Sequence, residues 1–138
     1  MASIVYNSFI EDLNKGDIDL DTPNVKVMLV GAAYVAAKTH TRRSDVTNEV
    51  TGTGYTAGGV GSLVTIEKDS ANNRIDLKFA DVVWNNATVT AKGAVIYVAK
   101  GGAATADNLI AYVDFNQPIS STNASFAVTF SAPLRFQN

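Results

Sequence analysis

Alternation between apolar and polar residues dominates the second half of the sequence and constrains the fold more than any other feature. Ile75, Leu77 and Phe79 share one parity, whereas Asp76 and Lys78 share the other. Because successive side chains of a strand point to opposite faces, this period of two predicts a half-buried strand. The alternation recurs between turn-forming segments, in residues 63–68, 88–99, 109–115 and 126–136. Seven or eight short strands of this kind indicate an all-β protein, an antiparallel β-sandwich or jelly roll.

Asparagine, glycine and proline residues mark where the predicted strands turn, bulge or end. Asn72-Asn73 is typical of a hairpin turn, because asparagine tolerates left-handed backbone. Gly93 lies inside a strand-like run and predicts a bulge or a close approach of another segment. Gly101-Gly102 ends that run. The last run, 126–136, carries Pro133 off its apolar parity, so we expect it at a sheet edge, where a missing N–H does no harm.

The N-terminal segment is the one part of the sequence with a convincing helical period. Four apolar residues fall at i, i+3, i+4 and i+7 and would share one helix face: Tyr6, Phe9, Ile10 and Leu13. Ser3 is a candidate N-cap, and Gly16 supplies a C-terminal stop. Two interpretations of residues 1–16 stay open. We favour a short helix that covers one end of a sheet over an arm that docks on a neighbouring subunit.

A long connector separates the helix and the first strands from the alternating second half. Residues 17–21 and 25–29 show a period of two, and residues 31–61 then lack any clear period. Glycines occupy positions 52, 54, 58, 59 and 61 of this connector and permit left-handed or closely approached backbone. A connector of this length is functional or contains a short strand or turn. We expect a shaped surface loop that leads into the strand-like run at residue 63.

Length, charge and cysteine content limit the classes of protein. The 138 residues fit a single β-sandwich domain, residues 1–138, and are enough to bury a core without disulfides or metals. There are no cysteines, and the net charge is −2. Nucleic acid is not an expected partner, because phosphate binding needs a clustered positive surface. No apolar run approaches the length of a membrane span, and no signal peptide is recognisable, so we expect a soluble protein made in the cytoplasm.

Tests for catalytic, metal and cofactor motifs return nothing specific. Asp17 to Asp21 resembles the start of a calcium loop, but Thr22 and Met28 stand where glycine and glutamate are needed. The glycine run lacks the Gly-Lys-Ser/Thr ending and the helix of a phosphate-binding loop. His40 is the single histidine, so a histidine-based metal cluster cannot form, and an ordinary loop hydrogen bond is its expected role. We therefore predict no catalytic residues, no cofactor and no metal site.

Several segments together resemble capsid cement (decoration) proteins of tailed bacteriophages. The similar segments are residues 6–9, 19–22, 25–30, 43–46, 54–59, 93–97 and 109–115. The resemblance implies a jelly-roll-like β fold, attachment to the outside of a capsid and no enzymatic activity. It also implies self-association, with a homodimer as the first expectation, and the bridging of adjacent subunits of the major capsid protein. The expected interface residues are Ile4, Val5, Tyr6, Phe9, Arg43, Tyr55 and Phe136.

Two other functions remain open from the sequence. One is a different virion component, such as a tail or head-fibre protein, because the resemblance is less specific to the capsid than to the virion. The other is a carbohydrate-binding β-sandwich module that stacks sugars on Trp84 or on surface tyrosines. We expect Trp84 to pack in the core instead, because the apolar run 82–84 is typical of a buried strand end.

Overall fold

The chain is built almost entirely from antiparallel strands. The computed structural model describes residues 3–21 and 24–138. In these ranges the strands are β1 (Ile4–Val5), β2 (Val25–Val30), β3 (Val60–Gly61), β4 (Val64–Asp69), β5 (Arg74–Phe79), β6 (Val82–Val98), β7 (Asn108–Val128) and β8 (Leu134–Gln137). The α-helix is α1 (Asn7–Asn14), and short 3-10 turns span Arg43–Asp45 and Ala104–Ala106. Met1, Ala2 and Thr22, which belong to the predicted N-terminal segment and to a motif of the resemblance, lie outside the described residues.

The strands form two antiparallel sheets. The larger sheet has the order β1-β7-β6-β2-β3, and the smaller sheet has the order β4-β5-β8. One apolar cluster contains residues of both sheets and of α1, so the sheets pack face to face with the helix at one end. The all-β antiparallel sandwich with a short N-terminal helix is therefore confirmed. The jelly-roll connectivity stays a prediction.

Strands β6 and β7 pair along nearly their whole length and form the spine of the larger sheet. Strand β2 pairs only with residues 93–98 of β6, so the other half of the pair continues as a two-stranded ribbon. We call residues 82–91 and 119–128 the distal ribbon. Its register shifts near Asn86 and Asn123, both with positive φ (50° and 46°), as expected for β-bulges.

The half of the larger sheet that β2 completes is buried on both faces. Its inner face, toward the smaller sheet, carries Ala94 and Ile96 at 0% and 2% exposure, and Trp84 of the distal ribbon, 3% exposed, belongs to the same cluster. Its outer face carries a second apolar cluster that includes Tyr97 and Tyr112, and the connector covers this cluster with Tyr34. The close approach expected at Gly93 is confirmed, because a Cβ there would lie 2.4 Å from the Tyr112 ring. The core position expected for Trp84 is confirmed as well.

The N-terminal helix forms where its period predicts, with a different buried face. It ends before Gly16, whose φ is +75°, as expected for a glycine stop. Its buried residues are Ser8, Phe9 and Asp12, whereas Ile10 is 51% exposed, so the assignment of Ile10 to the buried face was wrong. Ser8 and Asp12 replace it because their side chains bond the connector. Ser3 is not the N-cap, since its hydroxyl accepts a hydrogen bond from the Asp114 amide.

Two strand-like runs of the sequence differ from the structure. Residues 17–21 form no strand, although Ile18 and Leu20 are buried, because no neighbouring strand pairs with them. The last run is two strands and not one. Strand β7 ends at Val128, the chain crosses to the smaller sheet, and β8 begins at Leu134. Pro133 lies just before β8, which is an edge strand, as expected.

Candidate interaction surface

The connector, residues 31–61, is held to the larger sheet by short elements that no pattern in its sequence indicates. A 3-10 turn lies at Arg43–Asp45, and β3 pairs with β2. Isolated bridges join Glu49 to Val30 and Arg42 to Asn108. The alternative of a short strand or turn inside the connector is therefore confirmed.

The adjacent basic residues of the connector form ion pairs with buried carboxylates. Arg42 Nη1 lies 2.8 Å from Asp12 Oδ2, and Arg43 Nε lies 2.7 Å from Asp107 Oδ2. Asp12 and Asp107 are 4% and 2% exposed. The Arg43 guanidinium also lies 5.3 Å from the Tyr97 ring centre, which adds a cation–π contact. Both arginines hold the connector in place and are only partly available to another molecule.

Asn108 extends this network toward the end of the helix. Its Nδ2 donates to Asp12 Oδ2 at 2.9 Å and to Asp17 Oδ2 at 2.8 Å. The hydrogen bond from Asn108 and the charge of Lys100 hold the pKa of Asp17 below its usual value. Helix, connector and β7 are thereby joined at one point.

Tyr55 and Glu49 fix the glycine-rich half of the connector. The Tyr55 hydroxyl donates to Glu49 Oε2 at 2.6 Å and accepts from the Leu29 amide at 3.1 Å. Burial, together with the bond to Glu49, raises the pKa of Tyr55. The Gly58 amide donates to the same Glu49 oxygen at 2.7 Å. The centre of the Tyr55 ring lies 5.6 Å from that of Trp84, so this half of the connector packs against the larger sheet of the same molecule.

The glycines of this segment permit backbone contact with the larger sheet. A Cβ on Gly59 would lie 1.9 Å from the Val27 carbonyl oxygen, and one on Gly52 would lie 2.1 Å from that of Thr88. Gly59 also has φ +80°, in the left-handed region that favours glycine. The shaped loop expected from the sequence is thus shaped by its fit to β2 and β6.

The residues expected at an interface lie in different environments. Tyr6 and Phe9 are fully buried inside the chain, so neither offers surface to another molecule in this conformation. Arg43 and Tyr55 are partly buried anchors of the connector. Phe136 is 38% exposed and its ring lies 6.4 Å from that of Phe9. Ile4 and Val5, partly buried in β1, pair with Tyr112 and Ala111.

Ile4 and Val5 line an apolar groove at the open side of the sandwich. The groove measures about 260 Å³ and lies between β1 and the segment that leads into β8. Val113, Phe130 and Leu134, all partly buried, line its walls. Of the expected interface residues, these two are the ones that the structure brings together at an accessible apolar surface.

The outer face of the distal ribbon is a second surface, and the side chains that line it are mainly neutral and polar. Rows of side chains hydrogen-bond across the two strands: Thr90 with Ser120 at 2.8 Å and Asn85 with Ser125 at 3.4 Å. The connector stops short of these rows, which leaves an open cleft of about 620 Å³. Its lining includes Asn48, Thr51, Thr88 and Thr122, together with one carboxylate, Glu49. This surface was not predicted from the sequence, although the Thr- and Ser-rich polar parity of 88–90 and 120–122 was a signal for it.

The side chains proposed for sugar stacking are not placed for that role. Trp84 is 3% exposed, and four of the five tyrosines are between 0% and 3% exposed. The fifth, Tyr55, is the partly buried loop anchor. The carbohydrate-binding alternative therefore lacks the aromatic platform on which it depended. In the described ranges no group of three or more His, Cys, Asp or Glu side chains could hold a metal ion.

Comparison with known proteins gives no assignment: no family model, no curated protein and no solved structure matches the chain. Among residues 3–21 and 24–138, no helix is long and apolar enough to cross a membrane.

Proposed function

We propose that the chain is a non-enzymatic structural protein of a tailed-phage virion that binds the outer capsid surface. In this role it ties adjacent subunits of the major capsid protein together after synthesis in the host cytoplasm. The sequence segments that resemble capsid cement proteins motivate the proposal.

One structural observation supports the proposal above the others, namely the position of the charged side chains that form ion pairs. The pairs Arg42–Asp12, Arg43–Asp107 and Arg135–Asp76 all hold segments of the chain to one another. The groove beside β1 is lined by apolar and neutral polar side chains, and so is the cleft at the distal ribbon apart from Glu49, which is bonded to Tyr55 and Gly58. Surfaces of this composition suit protein contacts, because charged residues are depleted at the centres of interfaces.

A rigid sandwich is a suitable frame for such a function. Contacts that are individually weak can stabilise a shell when one molecule bridges several subunits, because the second contact is intramolecular once the first has formed. Paired strands of the larger sheet keep both surfaces in fixed positions, which limits the entropy lost on binding.

Co-sedimentation with capsids tests the proposal directly. Particles of a tailed phage that encodes the chain are prepared with and without it, and rupture is followed by the release of DNA on heating. We expect saturable binding to intact capsids and a higher rupture temperature for particles that carry the protein. Absence of binding, or equal rupture temperatures, would contradict the proposal.

Location separates this proposal from its nearest alternative, a tail or head-fibre protein. Gold-labelled protein seen over the whole capsid surface in electron micrographs supports the cement role, whereas label confined to the tail supports the alternative.

We also propose that the protein self-associates, with a homodimer as the first expected state. Light scattering coupled to size-exclusion chromatography measures the mass in solution. A molar mass equal to that of one chain, at all concentrations up to that of the capsid experiment, would contradict the dimer. Capsid binding would still be decided by the co-sedimentation experiment.

A further inference from the structure

Residues 31–40 of the connector precede the ion pairs of Arg42 and Arg43 and are held by hydrogen bonds that link three buried or partly buried side chains. The Tyr6 hydroxyl lies 2.9 Å from the Tyr34 hydroxyl, which lies 3.0 Å from His40 Nδ1. Tyr6 and Tyr34 are 0% and 3% exposed, whereas His40 is partly exposed. These hydrogen bonds join Tyr6, which precedes α1, to the connector segment that covers the outer face of the larger sheet.

The number of hydroxyl hydrogens determines which atom donates in each of these two hydrogen bonds. Each tyrosine hydroxyl has one hydrogen to donate, and within the described residues Tyr6 has no partner for its hydroxyl except Tyr34. Every hydrogen is used only if Tyr6 donates to Tyr34 and Tyr34 donates to His40 Nδ1. The imidazole must then be neutral, with its hydrogen on Nε2 and a free lone pair on Nδ1.

Protonation of His40 removes the acceptor at the end of the chain. An imidazolium carries hydrogen on both nitrogens, so Nδ1 would donate to the Tyr34 oxygen. One tyrosine hydrogen, on Tyr6 or on Tyr34, would then have no acceptor in a site closed to water. A buried donor without a partner costs stability, because it has lost its hydrogen bonds to water and gained none. Turning the imidazole ring does not help, since neither nitrogen then offers a lone pair.

We propose that the Tyr6–Tyr34–His40 hydrogen-bond chain is an acid-sensitive latch that holds residues 31–40 of the connector, the part that precedes the Arg42 and Arg43 ion pairs, on the larger sheet. At neutral pH the latch is closed. Protonation of His40 weakens it and allows this segment to move away from the Tyr97 and Tyr112 cluster that it covers. The latch concerns the fold of the chain and does not depend on the proposed capsid role.

The groups around His40 do not cancel this effect. Asp45, from the 3-10 turn, is a carboxylate whose charge interacts with His40 and favours an imidazolium. Amide hydrogen bonds from Thr41 and Arg42 lower the pKa of Asp45, so it stays ionised across the range in question. Asp45 is exposed and its attraction is screened by water, whereas the tyrosines that would carry the unpaired hydrogen are 0% and 3% exposed.

The remaining neighbours of the latch do not titrate in that range. Helix α1 presents Asn7, whose amide donates to the Lys38 carbonyl, and Ser8, whose hydroxyl donates to the Thr41 carbonyl. Strand β7 presents Tyr112, whose ring packs 5.8 Å from Tyr34 and whose pKa is raised by burial.

Thermal unfolding at two pH values tests the latch, and the single histidine keeps the comparison simple. The wild-type midpoint at pH 5.5 is compared with that at pH 7.5. The same comparison is made for His40→Asn, which keeps an acceptor near Nδ1 but cannot titrate. A second variant, Tyr6→Phe/Tyr34→Phe, has no hydroxyl to strand. We expect the wild-type Tm to fall by about 3 to 5 °C more than that of either variant.

Hydrogen exchange measured by mass spectrometry locates the change. After correction for the intrinsic effect of pH, the wild-type segment 31–40 should lose protection at pH 5.5 while β5 keeps its protection. The His40→Asn variant should show no such loss. If His40→Asn or the double phenylalanine variant keeps the full pH dependence of the wild type, or if protection is lost equally everywhere, the latch is refuted.

Discussion

Single positions in the connector decide whether it can lie against the sheet, and Gly59 is the sharpest case. Its φ of +80° and the 1.9 Å between an added Cβ and the Val27 carbonyl oxygen combine a strained backbone with a clash against backbone atoms. Because neither can relax by a side-chain rotation, we expect Gly59→Ala to lower the free energy of unfolding by about 3 kcal/mol or more. Urea denaturation measures the loss.

Gly101 is the matched control for this prediction. Its φ is +86°, nearly that of Gly59, but nothing lies within 4 Å of an added Cβ. Only the left-handed conformation is then penalised, so Gly101→Ala should cost about 1 kcal/mol. Equal losses in the two variants would mean that the fit of Gly59 to β2 does not contribute to stability.

The residue scale is also where the sequence was least informative. Arg42 and Arg43 are adjacent in the sequence, and their partners, Asp12 and Asp107, are 30 and 64 residues away along the chain. Nothing in a single sequence indicates which of 13 acidic residues an arginine will meet. His40 was easier, because the expectation of an ordinary hydrogen bond does not require knowing that the partner is Tyr34.

At the scale of elements, an ion pair on the outer side of the smaller sheet joins β5 to β8. Arg135 Nε and Nη2 donate to the two Asp76 oxygens at 2.7 and 3.0 Å, and Asp76 is 6% exposed. The hydrogen bond from Arg135, with the charges of Arg135 and Arg74, holds the pKa of Asp76 below its usual value. A lowered pKa stabilises the fold above the unfolded value near 4, and that stability is lost as pH falls through the folded value.

We therefore expect Asp76→Asn to be less stable than the wild type at pH 7 and to lose less stability on acidification below pH 4. Chemical denaturation at a series of pH values from 7 to 2 measures both effects. Glu67→Gln is the control, because the Glu67–Lys78 pair on the same face is about half-exposed at both partners and should contribute little. An unchanged acid profile in Asp76→Asn would assign the acid sensitivity to other carboxylates.

Element-scale patterns predicted most of the fold and failed for identifiable reasons. The parity of residues 126–136 was correct, but it indicated one strand where there are two. Strands β7 and β8 belong to different sheets that face the same core, so both keep the same inward parity across the crossing at 129–133. The strand-like reading of residues 17–21 was wrong for another reason. Alternate side chains can be buried wherever a segment lies against the core, whereas a strand also needs a neighbouring strand to pair with.

At the scale of the whole molecule, the groove beside β1 and the outer face of the distal ribbon lie on a folded frame whose stabilising contacts are made elsewhere. The N-terminal segment illustrates this. Tyr6 and Phe9 are fully buried and Asp12 bonds Arg42, so residues 3–16 are part of the frame and only β1 contributes to the groove. The sequence indicated both the helix and its role as a cover, but the outer face of the distal ribbon emerges only when β6 and β7 are paired.

The distal ribbon can be tested as the capsid-binding face with one pair of substitutions. Thr122 is exposed on β7 and lines the open cleft, whereas Thr65 is exposed on β4 at the outer side of the smaller sheet. If the ribbon face is the contact, Thr122→Lys would bury an unpaired charge there, because Glu49, the carboxylate in the cleft lining, is already bonded to the Tyr55 hydroxyl and the Gly58 amide. We expect Thr122→Lys to weaken binding to capsids about tenfold or more, and Thr65→Lys to bind as the wild type does.

Titration of each variant against a fixed amount of capsid in the sedimentation assay gives the affinities, and unchanged thermal midpoints establish that both variants are folded. Equal binding by the two variants, or a loss confined to Thr65→Lys, would move the contact away from the ribbon while leaving capsid attachment itself to be judged by the wild-type chain.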